Sequence, residues 1–237
     1  MLMPSDASWA DVLWIDTGSV NVYLCRDSGG FTLIDAAMPG KADLIFARLA
    51  EWGGGPTDLK RIVITHADLD HAGSAAELQA RSGATVHAGA ATAALLVEGR
   101  SPRHMPPPVQ FLIDHFVRYK RVDRAAIRPL DDGDELPVLG GLRVLAAPGH
   151  TPEQTAFYSP AAGVLFAADA LNTRDDRLQL TPRRITADQA AAERSAIQLL
   201  QLSPGVIACG HGAPLVDGRA AMAELLAQLA GLRGGTL

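Results

Sequence analysis

Cysteine is nearly absent: Cys25 and Cys209 are the only two in the chain of 237 residues. They can form at most one bridge, and a chain of this length buries a sizeable core without staples. We read them as two reduced, partly buried thiols in a cytoplasmic protein. No apolar run approaches the roughly 20 residues needed to cross a bilayer, so no membrane span is expected. The opening MLMPSDASWADVLW lacks a basic stretch and carries Asp6 and Asp11, which does not read as a signal peptide. A long basic block is missing too. Arg118, Lys120, Arg121 and Arg124 form a short, interrupted stretch in a chain of formal net charge -5. Polyanion binding needs many phosphate-neutralising cations, so neither nucleic acid nor a membrane is the expected partner.

What is present alternates between strand and helix patterns. DVLWIDT, VNVYLCR and FTLIDA are short and rich in β-branched or aromatic residues, and turn formers separate them. A helix is predicted from about Lys41, with Leu44, Ile45, Leu49 and Trp52 at helical spacing, ending at Gly53-Gly54-Gly55-Pro56. RIVIT and ATVHA read as strands, AAELQARSG and AATAALLVEG as helices. Residues 100–123 interrupt this rhythm. Pro102, Pro106, Pro107 and Pro108 oppose regular structure, and then Phe111, Leu112, His115, Phe116 and Tyr119 make an apolar stripe at helical spacing. Beyond the insert, AIRPL, LRVLAAP, TAFYSP and GVLFAAD restore the strand pattern. A helix from about Ala187 to Leu202, the strand GVIAC and the closing helix AAMAELLAQLAGL complete the chain. Two sheets packed face to face with helices outside fit this order better than a doubly wound parallel sheet.

The chemistry concentrates in His66-Ala67-Asp68-Leu69-Asp70-His71, between a predicted strand and a predicted helix. Two imidazoles and two carboxylates fall within six residues, and each can donate an electron pair to a cation. Without a cation, carboxylates crowded in a confined site repel each other. A solvated loop with Asp70 capping the next helix would account for one aspartate but leave the histidines unexplained. Three further residues, His150 in APGHTPEQ, Asp169 in LFAADAL and His211 in IACGHGAP, each end a short apolar run. Side chains at strand ends converge on one edge of a layered fold, where pockets form.

These segments together resemble the metallo-β-lactamase superfamily: NVYL and LIDAAMPG, then THADLDHAGS, PGHTPEQTAFY, LFAADAL and CGHG, in the family's order. The resemblance implies an α/β fold, an αβ/βα four-layer sandwich of two mixed β-sheets, spanning residues 1–237 as one domain with the insert at about 100–123. It implies two divalent metal ions, zinc first and iron or manganese as alternatives. His66, Asp68 and His150 would hold one, Asp70, His71 and His211 the other, and Asp169 would bridge them. Asp35 resembles a residue that braces the metal loops. Asp68 departs from the family's common H-x-H-x-D-H pattern, standing where a second histidine is usual. Oxygen-rich sites favour manganese or iron relative to histidine-rich ones.

The implied activity is hydrolysis of a small-molecule ester, lactone or thioester, with a hydroxide held between the metals as nucleophile and Asp70 carrying the proton. A non-haem iron oxidoreductase and a β-lactamase are the alternatives. Only one helix follows His211, whereas a glyoxalase-type thioesterase carries a basic C-terminal helical region, so that role is not expected. Phe111, His115, Phe116 and Tyr119 are candidates for a lid or pocket wall, with core packing or a homodimer contact as the other uses of the stripe. His87 reads as packing within a strand and His104 as loop surface.

Overall fold

The strands read from the sequence pair into two sheets in the computed structural model, which describes residues 8, 9 and 11–234. Most of the opening segment judged not to be a signal peptide lies outside the described residues. The first sheet takes its seven strands in chain order: β1 (Ser8–Trp9), β2 (Val12–Asp16), β3 (Asn21–Asp27), β4 (Gly30–Ile34), β5 (Leu59–Ile64), β6 (Thr85–Gly89) and β7 (Ile127–Leu130). Pairing is antiparallel from β1 to β4 and parallel from β4 to β7. The parallel half needs crossovers, supplied by α1 (Ala42–Glu51), by α2 (Leu69–Ala72) with α3 (Ala75–Ser82), and by α4 (Ala90–Glu98) with α5 (Pro107–Phe116). The second sheet contains β8 (Glu135–Leu136), β9 (Leu142–Ala146), β10 (Thr155–Ser159), β11 (Val164–Ala168), β12 (Val206–Cys209) and β13 (Leu215–Val216), in the spatial order β13-β12-β11-β10-β9-β8. Only β11 and β12 run parallel in it, joined through α6 (Gln189–Gln201); α7 (Arg219–Gly234) closes the described chain.

Three apolar cores make the layers. Alternate residues along a strand face opposite ways, so strands buried on both faces become nearly continuous apolar runs. Leu13, Val22, Leu24, Leu33, Ile62 and Ile64 pack with Ile45, Leu49 and Leu78 of the outer helices. Their neighbours Trp14, Tyr23, Ile34 and Val63 point inward and meet Val144, Phe157, Phe166 and Ala208 of the second sheet. On that sheet's far side, Leu165, Ala167 and Ile207 pack with Leu199 and Leu200 of α6 and Leu225 and Leu229 of α7. The order is helices, sheet, sheet, helices, as the resemblance implies.

The insert differs from its sequence reading. Pro107 and Pro108 do not delay the helix but begin it, because first-turn amide hydrogens have no intrahelical acceptor and proline there forfeits nothing. The helix ends at Phe116, so Tyr119 lies beyond it and off the stripe. The two cysteines are free and buried in different cores, Cys25 between the sheets and Cys209 beneath α6 and α7. No helix among the described residues is long and apolar enough to cross a membrane.

Candidate metal centre

The loop after β5 is pulled into shape by one carboxylate. Asp35, just past β4, accepts hydrogen bonds from the Thr65 backbone N–H at 2.9 Å and the Thr65 hydroxyl at 2.9–3.0 Å. Its other oxygen lies 2.7 Å from His71 Nδ1. The Thr65 hydroxyl has one proton, used on Asp35, so its oxygen accepts from His66 Nδ1 at 3.0 Å. Both imidazoles thus keep a proton on Nδ1 and turn Nε2 inward, the atom left to ligate a cation. His66 Nε2 and His71 Nε2 are buried with no hydrogen-bond partner, as is Asp169 Oδ1. A buried polar atom left unpaired is costly, and three converging from separate elements suit a cation.

Elements of the second sheet bring the remaining donors. The backbone of Ala168 is left-handed at φ 47° and its pairing to β12 shifts register, which aims Asp169 at the loop after β5. Asp169 Oδ1 stands 3.4 Å from His71 Nε2, and its Oδ2 3.3 Å from His211 Nε2 and 3.6 Å from His150 Nε2. Gly210 makes that approach possible, since a Cβ there would lie 2.4 Å from Asp169 Oδ1 and 2.7 Å from His71 Cε1. The His211 loop is clamped from the first sheet: Asn21 donates from its side chain to the carbonyls of Cys209 at 3.0 Å and Gly212 at 2.6 Å, and Tyr23 donates to Cys209 at 2.6 Å. His150 is held where its carbonyl and that of Gly149 accept from Ala187 and Asp188, at 3.0 Å each.

All seven residues expected as donors come together. His66, Asp68 and His150 form one group and Asp70, His71 and His211 another; His66, His71 and Asp169 span the two, with donor atoms in each group within 4.8 Å. Asp68 Oδ2 lies 3.3 Å from His150 Nε2 and 3.6 Å from His66 Nε2, and Asp70 Oδ2 lies 3.6 Å from His211 Nε2. Each triad offers two imidazoles and one carboxylate, a mixed nitrogen and oxygen set that suits zinc, iron or manganese.

The electrostatics match a cation site. Burial opposes charge on Asp169, but His71 and His211 outweigh it and hold the carboxyl well below its usual range. Burial likewise opposes charge on His71, and Asp35, Asp169 and Asp70 outweigh it, raising that imidazole well above its ordinary value. The extra proton so held on His71 is one that a metal would displace on binding, whereas the Asp169 carboxylate is already an open acceptor.

Five residues depart from expectation. His104 is not loop surface: it is buried, with Nε2 3.0 Å from Asp68 Oδ1 and Nδ1 3.1 Å from the Ile185 carbonyl. No spacing in the irregular stretch before it pointed to this pairing, which is formed only in the folded chain. Phe111 at 58% and Phe116 at 77% exposure face solvent and form no described pocket wall, because α5 presents that face outward. His115 is also exposed, stacked on Phe111 with ring centroids 4.1 Å apart. Tyr119 is buried behind the loop, its hydroxyl near the carbonyls of Ala67 at 3.2 Å and Arg100 at 3.0 Å. Asn21 and Thr65 had been given no role, and both position the loops that carry the donors.

The metallo-beta-lactamase superfamily model matches residues 15–211. The chain belongs to that superfamily. A probable metallo-hydrolase of Bacillus subtilis (strain 168), YflN, is 27% identical over 215 residues, covering 82% of this chain and 81% of that protein. A hydroxyacylglutathione hydrolase of Fuscovulum blasticum is 34% identical over 151 residues, which is 63% of this chain but 47% of that enzyme. Among solved structures, a B3 metallo-beta-lactamase with an active-site glutamic acid superposes with TM-score 0.71 at 24% identity, over 98% of this chain and 92% of that one. That similarity establishes the shared fold. Membership of the superfamily and the histidine and aspartate groupings imply divalent metals.

Proposed function

We propose that this protein is a metal-dependent hydrolase of a small ester, lactone or thioester. The observation that carries the reading is the pair of buried, unpartnered Nε2 atoms of His66 and His71 beside Asp169, with a donor triad on either side. His66, Asp68 and His150 would hold one metal and Asp70, His71 and His211 the other, with Asp169 between the two groups. Zinc is the first choice, with iron and manganese accepted because Asp68 adds an oxygen donor where the family commonly has imidazole. Bound metal supplies a nucleophile near neutral pH by lowering the pKa of water from about 15.7 towards about 7.

The chain's own groups do the rest. Asp70 has the most exposed carboxylate of the seven donors, which supports a role in which its Oδ2 would take the proton of the attacking water and pass it to the leaving alkoxide or thiolate. The polar relay from Asp35 fixes the orientation of both imidazoles and makes the His71 ring a stronger donor at Nε2. A cleft of about 530 Å³ opens beside His211, lined by Trp14, Asp16, Asn21 and Arg174 among others. That size falls in the usual range for small-molecule sites, roughly 300–1,000 Å³. A reducing compartment, the cytoplasm, suits the two unpaired thiols.

The test is elemental analysis of purified protein, followed by assay against lactones, thioesters, esters and a chromogenic lactam. Chelation should abolish turnover of one carbonyl class, and added zinc, manganese or iron should restore it. Full turnover by rigorously metal-free protein would overturn the proposal.

A further inference from the structure

His104 is not one of the seven donors and belongs to no sequence motif, yet its side chain is only 1% exposed and reaches the centre. A carboxylate has two oxygens, and Asp68 divides them. Oδ1 meets His104 Nε2 at 3.0 Å, whereas Oδ2 faces His150 Nε2 and His66 Nε2. An ionised carboxylate only accepts hydrogen bonds, so the His104 ring must donate to it. The ring cannot drift from this place. Its Nδ1 is held by the Ile185 carbonyl, and its backbone N–H donates to Gln110 Oε1 at 3.1 Å. Gln110 is buried on α5; it also accepts from the Met105 backbone N–H and donates to Asp114, which pairs with Arg103. The segment carrying His104 is therefore fastened at both ends of this short network.

The common family residue at position 68, histidine, offers a metal a single nitrogen along a fixed direction. Aspartate offers two equivalent oxygens and can turn either, or both, towards the ion. Occupying one oxygen restores the single direction. We propose that His104 is the positioning residue that commits Asp68 to ligation through Oδ2, and so sets the affinity of the site formed by His66, Asp68 and His150. The inference rests on the metallo-hydrolase reading, in which Asp68 is a ligand. It assigns to the insert a role at the centre that its exposed apolar stripe does not have.

The experiment is competitive zinc titration of chelator-stripped protein against a chromophoric chelator, with thermal melting as the control for folding. Wild type should bind two equivalents. His104→Phe keeps the ring volume and removes the donor; it should weaken one equivalent by roughly tenfold to hundredfold and leave the other unchanged. His104→Gln keeps an N–H donor and should recover most of the loss. In an Asp68→Ala background, His104→Phe should weaken zinc binding no further, because its effect passes through that carboxylate. Wild-type affinity in folded His104→Phe, or losses that add in the double variant, would overturn the proposal. A wild-type protein that takes up no metal would instead overturn the metallo-hydrolase reading, and this inference with it.

Discussion

Asp35→Asn separates the support of the centre from the centre itself. The Asp35 backbone is left-handed at φ 60°, a conformation that asparagine tolerates well, and the asparagine carbonyl can still accept from the Thr65 N–H. The fold should therefore survive. The changed contact is the one 2.7 Å from His71 Nδ1. An asparagine N–H2 there is a donor, so the neutral imidazole accepts it on Nδ1 and moves its proton to Nε2, the atom aimed at the metal. Binding then requires the proton to return to Nδ1, where two buried donors face each other. Leaving a buried donor unsatisfied costs about 1–3 kcal/mol. At about 1.4 kcal/mol per factor of ten, the site of Asp70, His71 and His211 should weaken roughly tenfold to hundredfold. Metal titration, with thermal melting as control, reads the effect directly. Wild-type affinity at both sites in folded Asp35→Asn protein would refute the relay argument.

Tyr119→Phe removes a buried hydroxyl that reaches the Ala67 and Arg100 carbonyls, and should cost about 1 kcal/mol in denaturant unfolding; an unchanged midpoint would show those contacts to be energetically idle. Burial drives the Cys25 and Cys209 thiols well above their ordinary pKa, so neither should react with a thiol reagent at neutral pH until the chain unfolds, when both should. Stoichiometric labelling of the folded protein would contradict that burial.

The sequence by itself determined the strands and most helices, because a strand buried on both faces must read as an apolar run and a helix must repeat its apolar residues at 3.6. It also singled out the seven candidate donors that the fold brings together. Their chemistry is carried by residue type, and four of them lie within six positions of one turn, His66 to His71. The ends of three later apolar runs pointed to His150, Asp169 and His211, and the resemblance divided the seven between two metals. Tertiary structure alone decided what surrounds them. His104 stands 36 positions from Asp68, and Asn21 stands 188 from Cys209; no local pattern encodes a hydrogen bond across such distances. The insert shows the opposite failure. Its stripe has a valid helical period, but periodicity specifies only that apolar residues share a face and not what lies opposite. In this fold α5 turns Phe111 and Phe116 towards solvent, while Gln110, on its buried side, carries the connection to His104.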